Sequence, residues 1–572
     1  MARKGKIMSN KGQKVICIGL DGATFDLIHP WVAAGKLPHL GKIMQNGVWG
    51  ELESVIPPIS APAWTSFMTG KNPGKHGIFG FKKRKPGTYE DTFVNRKLIK
   101  SETLWKGLSN SQKKVIVINV PLTYPPEEVY GCLVSGMDTP STKSPYTCPP
   151  QLKEEINRVT RGRYTIHLHL GGYLTNEKRK REALRQLRRA IDARTRVGEY
   201  LLQKYPWDFF MIKYDNPDQV QHYFWQDMDQ GGSGLQNAIL EVYQHLDSAV
   251  GRLTRSMDEN TTLVILSDHG AGPVNFKGIY INEWLRRKGM LFAENDSDGK
   301  RRTVGNRFRA RKFLSQSFEE IYFFAGRMIS HQMRERLGLP LPKIKAALRY
   351  SRSRANIDWT KTKAYFGGNL NAIHINVQGQ DPAGIVKPGK EYEQVREEII
   401  RGLKSLVDPE DGQAVFERIC KREEIYHGPA LEEAPDILLV PRNFSDYTMA
   451  KKMLNDDSKP VIAYHPSPRG ITGSHRLNGI FLAQGQGIKK GGQVNGARII
   501  DLFPTIYHIL GLAVPGDVDG KILTKAFIPA WLSENPVRFS ESDTSVGEIA
   551  EDVYSEEDEE EIRERLTGLG YI

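Results

Sequence analysis

The sequence predicts an α/β sandwich, a mostly parallel sheet covered by helices on both faces and interrupted by a basic, largely helical insertion. Three observations predict it. Short apolar runs recur along the chain, helical patterns separate them, and most of the positive charge gathers in one stretch.

The first run, VICIGLDG at 15–22, reads as a buried strand ending in an acidic residue. KVIVINV (114–120), WDFFMIKY (207–214) and TTLVILSDHG (261–270) read the same way, with helical patterns over 178–203 and 234–257 between them. From Arg286 to about Ile357 the strand pattern lapses, and SFEEIYFFAGRMISHQMRERLG has the pattern of an amphipathic helix flanked by arginines. The strand pattern resumes at AYFGGNLNAIHINV and continues through PDILLVP and NGIFLAQG to ARIIDLFPTIYHILGL. The chain after Leu532 is acidic and poor in apolar residues until IRERLTGLGYI, a tail whose last turn is expected to dock. The expected organisation is a core over 14–285 and 358–530, a basic cap over 286–357 and an acidic tail over 531–572.

A chain of 572 residues accommodates several domains or one large α/β domain with insertions. Its net charge of +13 is local: Arg286 to Arg354 holds 18 Lys or Arg against 6 Asp or Glu. No nucleic-acid motif accompanies that charge, so specific nucleic-acid binding is not expected. Three readings of the insertion stay open: a solvated cap, a positive rim that attracts an anionic substrate, and peripheral contact with an anionic membrane. Cys17, Cys132, Cys148 and Cys420 stand far apart without a CxxC pair, which argues against a disulfide framework and a structural zinc knuckle. The first apolar run is too short for a signal-peptide core or a membrane span, so a cytoplasmic location is expected.

In parallel sheets functional residues collect at the carboxyl ends of strands. Asp268-His269 follows one strand, with glycines beside it that let a ligand approach. Asp218 and His222 lie beyond another, at a spacing that puts both on one helical face. Asp21 ends the first strand, and His475 precedes the strand GIFLAQG. Each feature alone reads more simply as a turn, a cap or a surface side chain. Together they supply three Asp and three His at the edge of one predicted sheet. Mixed nitrogen and oxygen donors favour zinc, with manganese or iron as alternatives, and six ligands suit two ions rather than one. A serine or threonine beside such a pair would be activated as a nucleophile. SAPAWTSFMTG (60–70) offers Ser60, Thr65, Ser66 and Thr69.

These residues, in this order, resemble the alkaline phosphatase superfamily, and within it the type I phosphodiesterase and nucleotide pyrophosphatase branch. The resemblance runs from Val15 to about Ala526, excluding the insertion. It is carried by Asp21 in GLDGATF, by Ser60 two residues before Pro62, and by Thr69-Gly70 and His76-Gly77-Ile78 beyond. Pro217-Asp218 with His222, Ser267 to Gly270, and the Gly-Ser-His that ends at His475 complete it. NVPLTYPPEEVYG and GMDTPS are similar to a group described as predicted phosphohydrolases or phosphomutases of this superfamily. The resemblance implies an alkaline-phosphatase-like fold and two divalent ions. Asp218, His222 and His475 would hold one; Asp21, Asp268, His269 and the Ser60 oxygen would hold the other. It also singles out Ser60 as the nucleophile, passing through a phosphoseryl intermediate.

Two features depart from the pattern. Phe81 stands where nucleotide pyrophosphatases carry an asparagine, so the donor to the non-bridging phosphate oxygen and the other substrate-binding residues stay unassigned. Trp64 stands where sulfatases need an arginine, which argues against sulfate esters. The expected function is metal-dependent hydrolysis of small anionic phosphoric esters, diesters ahead of monoesters. The alternatives are a phosphomutase or phosphotransferase and, from another class, an inactive membrane-associated binding module.

Overall fold

The apolar runs pair into a ten-stranded sheet. Its strands are β1 (Lys14–Leu20), β2 (Val48–Glu53), β3 (Val115–Ile118), β4 (Gly131–Val134), β5 (Thr147–Cys148), β6 (Phe209–Tyr214), β7 (Thr261–Leu266), β8 (Asn478–Gln484), β9 (Gly492–Gln493) and β10 (Ala497–Arg498). A computed structural model of the protein describes residues 12–170, 176–232, 234–293, 357–367, 370–444, 446–450, 453–454, 456–464, 470–541 and 553–568. The strand order is β9-β2-β8-β7-β1-β6-β3-β4-β5, with β10 also paired to β2. The centre, β7-β1-β6-β3-β4, is parallel, whereas β8 runs antiparallel between β7 and β2.

Side chains of β1 alternate between two cores, as the two-residue period of a strand requires. Val15 and Cys17 pack with Trp64 and Phe67 of α3 (Ser60–Thr69), and with Phe503 and Ile506 of the helix Leu502–Ile509. Ile16, Ile18 and Leu20 face the other way. They meet α1 (Phe25–Ala33), α2 (Pro38–Asn46), α4 (Glu177–Lys204), α5 (Asn216–Gln230) and α6 (Ala238–Leu253). The predicted sandwich is therefore present, with β1 at its centre.

One expectation needs correction. AYF, AIHI and ILLVP do not extend the central sheet. Ala364–Phe366, Ala372–Ile375, Ile437–Pro441 and Phe416–Lys421 form a separate antiparallel sheet, with its own core around Ile375, Val395, Ile399 and Leu439. A short buried strand has the same local composition in either kind of sheet, so pairing partners are not legible in it. The acidic segment docks at its end, as expected of its last turn. The helix Glu556–Gly568 buries Ile562 and Leu566 in the same core as Val15, and Arg565 donates to the carbonyls of Met137, Thr139 and Pro140.

Most of the expected insertion, including the IYFFAGRMI segment, lies outside the described residues. Ala293 and Ile357 pair as an isolated antiparallel bridge, so the chain leaves and re-enters at one place. Among the described residues no helix is long and apolar enough to cross a membrane.

Candidate active site

Three parallel strands deliver side chains to one edge of the sheet. β1 runs into Asp21-Gly22, β6 into the first turns of α5, and β7 into Ser267-Asp268-His269. Ser267 ties this edge together: its hydroxyl donates to the Ala23 carbonyl and accepts from the Ile480 N–H, both at 2.8 Å. The short strand Gly473–Arg476 pairs antiparallel with Gly270–Pro273 and sets His475 opposite Ala271. α3 begins at Ser60 itself, with Ile59 as the extended residue before it.

All seven residues singled out by the sequence meet here, in two adjoining groups. In the first, His222 Nε2 lies 3.2 Å from Asp218 Oδ1 and 3.2 Å from His475 Nε2, and the last two atoms are 3.7 Å apart. In the second, His269 Nε2 lies 3.6 Å from Asp21 Oδ1, 3.4 Å from Asp268 Oδ2 and 3.3 Å from Ser60 Oγ. The rings of His269 and His475 join the groups, with centroids 4.0 Å apart. Ligands at bond lengths of about 2.0 to 2.1 Å around a tetrahedral zinc are separated by about 3.3 Å. Both groups have nearly that spacing.

Each ring is held by the backbone so that one nitrogen is presented. His222 Nδ1 donates to the Gly473 carbonyl at 2.7 Å, His269 Nδ1 donates to the Gly270 carbonyl at 3.0 Å, and His475 bonds the Pro58 carbonyl. The carboxylates follow the same rule. Asp268 Oδ1 accepts from the Gly22 N–H, and Asp21 Oδ2 is paired with Lys213, whereas Asp268 Oδ2 and Asp21 Oδ1 are buried without a hydrogen-bond partner. Two orphaned carboxylate oxygens beside one imidazole nitrogen are what a cation would satisfy.

Electrostatics points the same way. Burial, reinforced by Asp268, raises the Asp21 carboxyl well above its usual range, and burial pushes Asp268 to about 6. In the first group burial is outweighed: His222 holds Asp218 below the usual carboxylate range, and Asp218 in turn raises His222. Burial and the neighbouring His269 lower His475 well below 6.5. Among the described residues, Asp21 and Asp215 meet Lys213, and Asp215 also meets Arg194, both buried cations.

The other hydroxyls of SAPAWTSFMTG are engaged elsewhere. Thr65 and Thr69 donate back to the Ala61 and Thr65 carbonyls one turn earlier. Ser66 Oγ lies 2.9 Å from His76 Nε2; since the Ile78 N–H donates to His76 Nδ1, Nε2 carries the proton and Ser66 accepts it. Burial lowers His76 to about 3, so the imidazole is neutral. Only Ser60 of the four faces the two groups.

Lys213 was not signalled as a functional residue by the sequence. It is fully buried in β6 and bridges Asp21 and Asp215. Arg194 and Asn119 hold the far side of Asp215 at 2.9 and 3.2 Å. The available signal was a lysine inside the apolar run WDFFMIKY. Phe81 packs in the apolar core, so no donor to phosphate arises there.

Residues 15–466 match the family described as type I phosphodiesterase / nucleotide pyrophosphatase. No curated protein is significantly similar in sequence. Among solved structures, phosphonoacetate hydrolase from Sinorhizobium meliloti 1021 in complex with phosphonoformate aligns over 88% of this chain and 97% of its own, at 15% identity and a TM-score of 0.52. The same enzyme with phosphonoacetate gives 16% identity, the same coverage and a TM-score of 0.52. An inactive murine ectonucleotide pyrophosphatase / phosphodiesterase 5 in complex with AMP aligns over 88% and 96% of the two chains, at 14% identity and a TM-score of 0.46. The likeness to phosphonoacetate hydrolase is one of fold.

Proposed function

The chain belongs to the type I phosphodiesterase / nucleotide pyrophosphatase family, and from that premise we propose that it is a metal-dependent hydrolase of phosphoric esters with Ser60 as nucleophile. The observation that carries the reading is the 3.2 to 3.7 Å spacing of the presented nitrogen and oxygen atoms, with Ser60 Oγ beside them. Asp218, His222 and His475 would hold one divalent cation and Asp21, Asp268 and His269 the other, with Ser60 Oγ at the second. The donor set favours zinc, then manganese. Bound cations would supply Lewis acidity, easing loss of the serine proton and offsetting charge on the phosphoryl oxygens.

The chain supplies the rest. Ser60 opens α3, and the amino end of a helix favours the negative charge that gathers there. Its hydroxyl proton passes to water as the oxygen bonds to phosphorus in line with the departing ester oxygen, which leaves with the electron pair of the broken bond and takes up a proton from water. Water then releases the phosphoseryl group and restores Ser60. The carbonyls of Gly473, Gly270 and Pro58 keep the three rings from turning throughout. Diesters are placed ahead of monoesters on the family's description.

The test is to assay protein loaded with zinc or manganese on a phosphate monoester, a phosphate diester and a sulfate ester, beside Ser60→Ala. Turnover of a phosphate ester, lost by at least about 10³-fold in Ser60→Ala, is expected. No turnover of any ester by the metal-loaded protein sinks the hydrolase reading, and an active Ser60→Ala sinks the nucleophile.

A further inference from the structure

We infer that Lys213 is a built-in counter-cation of the candidate metal centre, a positioning residue that leaves Asp21 a single presented oxygen and competes with a bound cation for that carboxylate. The inference rests on the metal-dependent reading above.

The fold builds a place for this lysine. Lys213 of β6 is paired with Gly19 of β1, and a Cβ at Gly19 would lie 3.2 Å from Lys213 Cγ and 2.5 Å from the Trp64 ring. The missing side chain opens the space in which the lysine stem runs. The ammonium, with no exposure, then meets Asp21 Oδ2 on one side and Asp215 Oδ1 on the other. Asp215 cannot turn away, because Arg194 Nη1 and Asn119 Nδ2 hold its second oxygen. Arg194 is fixed in turn by the carbonyls of Lys213 and Ile166, at 2.9 and 2.8 Å.

The arrangement divides the Asp21 carboxylate. Oδ2 is taken by the ammonium, while Oδ1 stands without a hydrogen bond, 3.6 Å from His269 Nε2. Removing the ammonium would offer both oxygens to a cation and add one negative charge to the centre. Removing the Asp215 charge would do the opposite, since the ammonium would keep Asp21 as its only carboxylate. The two changes should move cation affinity in opposite directions. A packing role for the network predicts that both weaken it.

The experiment is calorimetric titration of metal-stripped full-length wild type, Lys213→Met and Asp215→Asn with Zn²⁺, alongside thermal melts with and without the ion. The Asp218 group serves as internal reference, because neither variant touches it. Lys213→Met should bind at least tenfold more tightly at one binding event, melt lower than wild type when stripped, and gain more from added Zn²⁺. Asp215→Asn should bind at least tenfold more weakly at the same event. Weakening in both variants, or no change in either, overturns the inference. A Lys213→Met chain that folds only with Zn²⁺ present supports it. Where it folds under neither condition, Lys213→Gln, which removes the charge and keeps an N–H donor, takes its place, and weakened or unchanged affinity in that variant overturns the inference. Wild type that binds no Zn²⁺ would instead sink the metal reading itself.

Discussion

Replacing Asp268 with asparagine should stabilise the metal-stripped protein, and the gain should grow with pH. Asp268 is fully buried, and burial pushes its carboxyl from 3.8 to about 6. A folded-state pKa raised in this way means that the folded chain holds the proton more tightly than the unfolded chain. Its contribution is fully present below about pH 4 and is lost as pH rises through about 6. Carried from 3.8 to about 6 at about 1.36 kcal/mol per pH interval of one, that is ~3 kcal/mol lost by pH 8. D268N has nothing to ionise and should avoid that loss, while retaining an oxygen that can accept from the Gly22 N–H. Urea denaturation followed by tryptophan fluorescence, on EDTA-treated protein at pH 4, 6 and 8, measures the difference. Near-equal stability at pH 4 and an advantage of ~3 kcal/mol for D268N at pH 8 are expected. On the proposed metal reading, Zn²⁺ at pH 8 should reverse the order, because only the wild type keeps a charged carboxylate there. A difference that stays flat from pH 4 to 8 would refute the argument that burial leaves this carboxylate uncompensated.

Three other perturbations separate chemistry from support. Ser66→Ala leaves a buried imidazole N–H without its acceptor and should cost about 1 to 3 kcal/mol in urea melts. It should change ester turnover by less than about tenfold, in contrast to Ser60→Ala, because Ser66 only accepts from His76. Gly19→Ala drives a methyl into Trp64 and the Lys213 stem, and thermal unfolding should show a loss of about 1 to 3 kcal/mol. Leu566→Ala removes a side chain only 2% exposed; a loss of about 2 to 5 kcal/mol by denaturant melt is expected if the C-terminal helix belongs to the core, and an unchanged melt contradicts that.

The parts of the site carried by short-range pattern were legible in the sequence. Asp21 and Asp268-His269 follow apolar runs directly, and the four-residue spacing of Asp218 and His222 does place both on one face of a helix. Lys213 was hidden because a charged residue near the end of an apolar run reads as the point where a strand meets solvent. Here it lies beside a glycine of the neighbouring strand, and that adjacency comes from register rather than from local sequence. Arg194 was hidden among the many arginines of α4, most of which lie on its exposed side. The antiparallel sheet was missed for a related reason, since ILLVP and AIHI carry no mark of their partners. The docked end of the acidic segment was legible as IRERLTGLGYI, and among the described residues its anchors are Ile562 and Leu566, one turn apart.

β8 lies between β7 and β2, yet it is made after the whole antiparallel sheet, and His475 comes just before it. A chain emerging from the ribosome therefore holds Asp21, Asp218 and Asp268 long before it can supply the last imidazole. Until β8 arrives, β7 and β2 each present an unpaired edge, the kind of surface on which partly made chains associate with one another. On the proposed reading, catalytic competence would arrive only with β8. Recovery of ester turnover after dilution from denaturant would then report completion of the central sheet, rather than the earlier collapse of its parallel half.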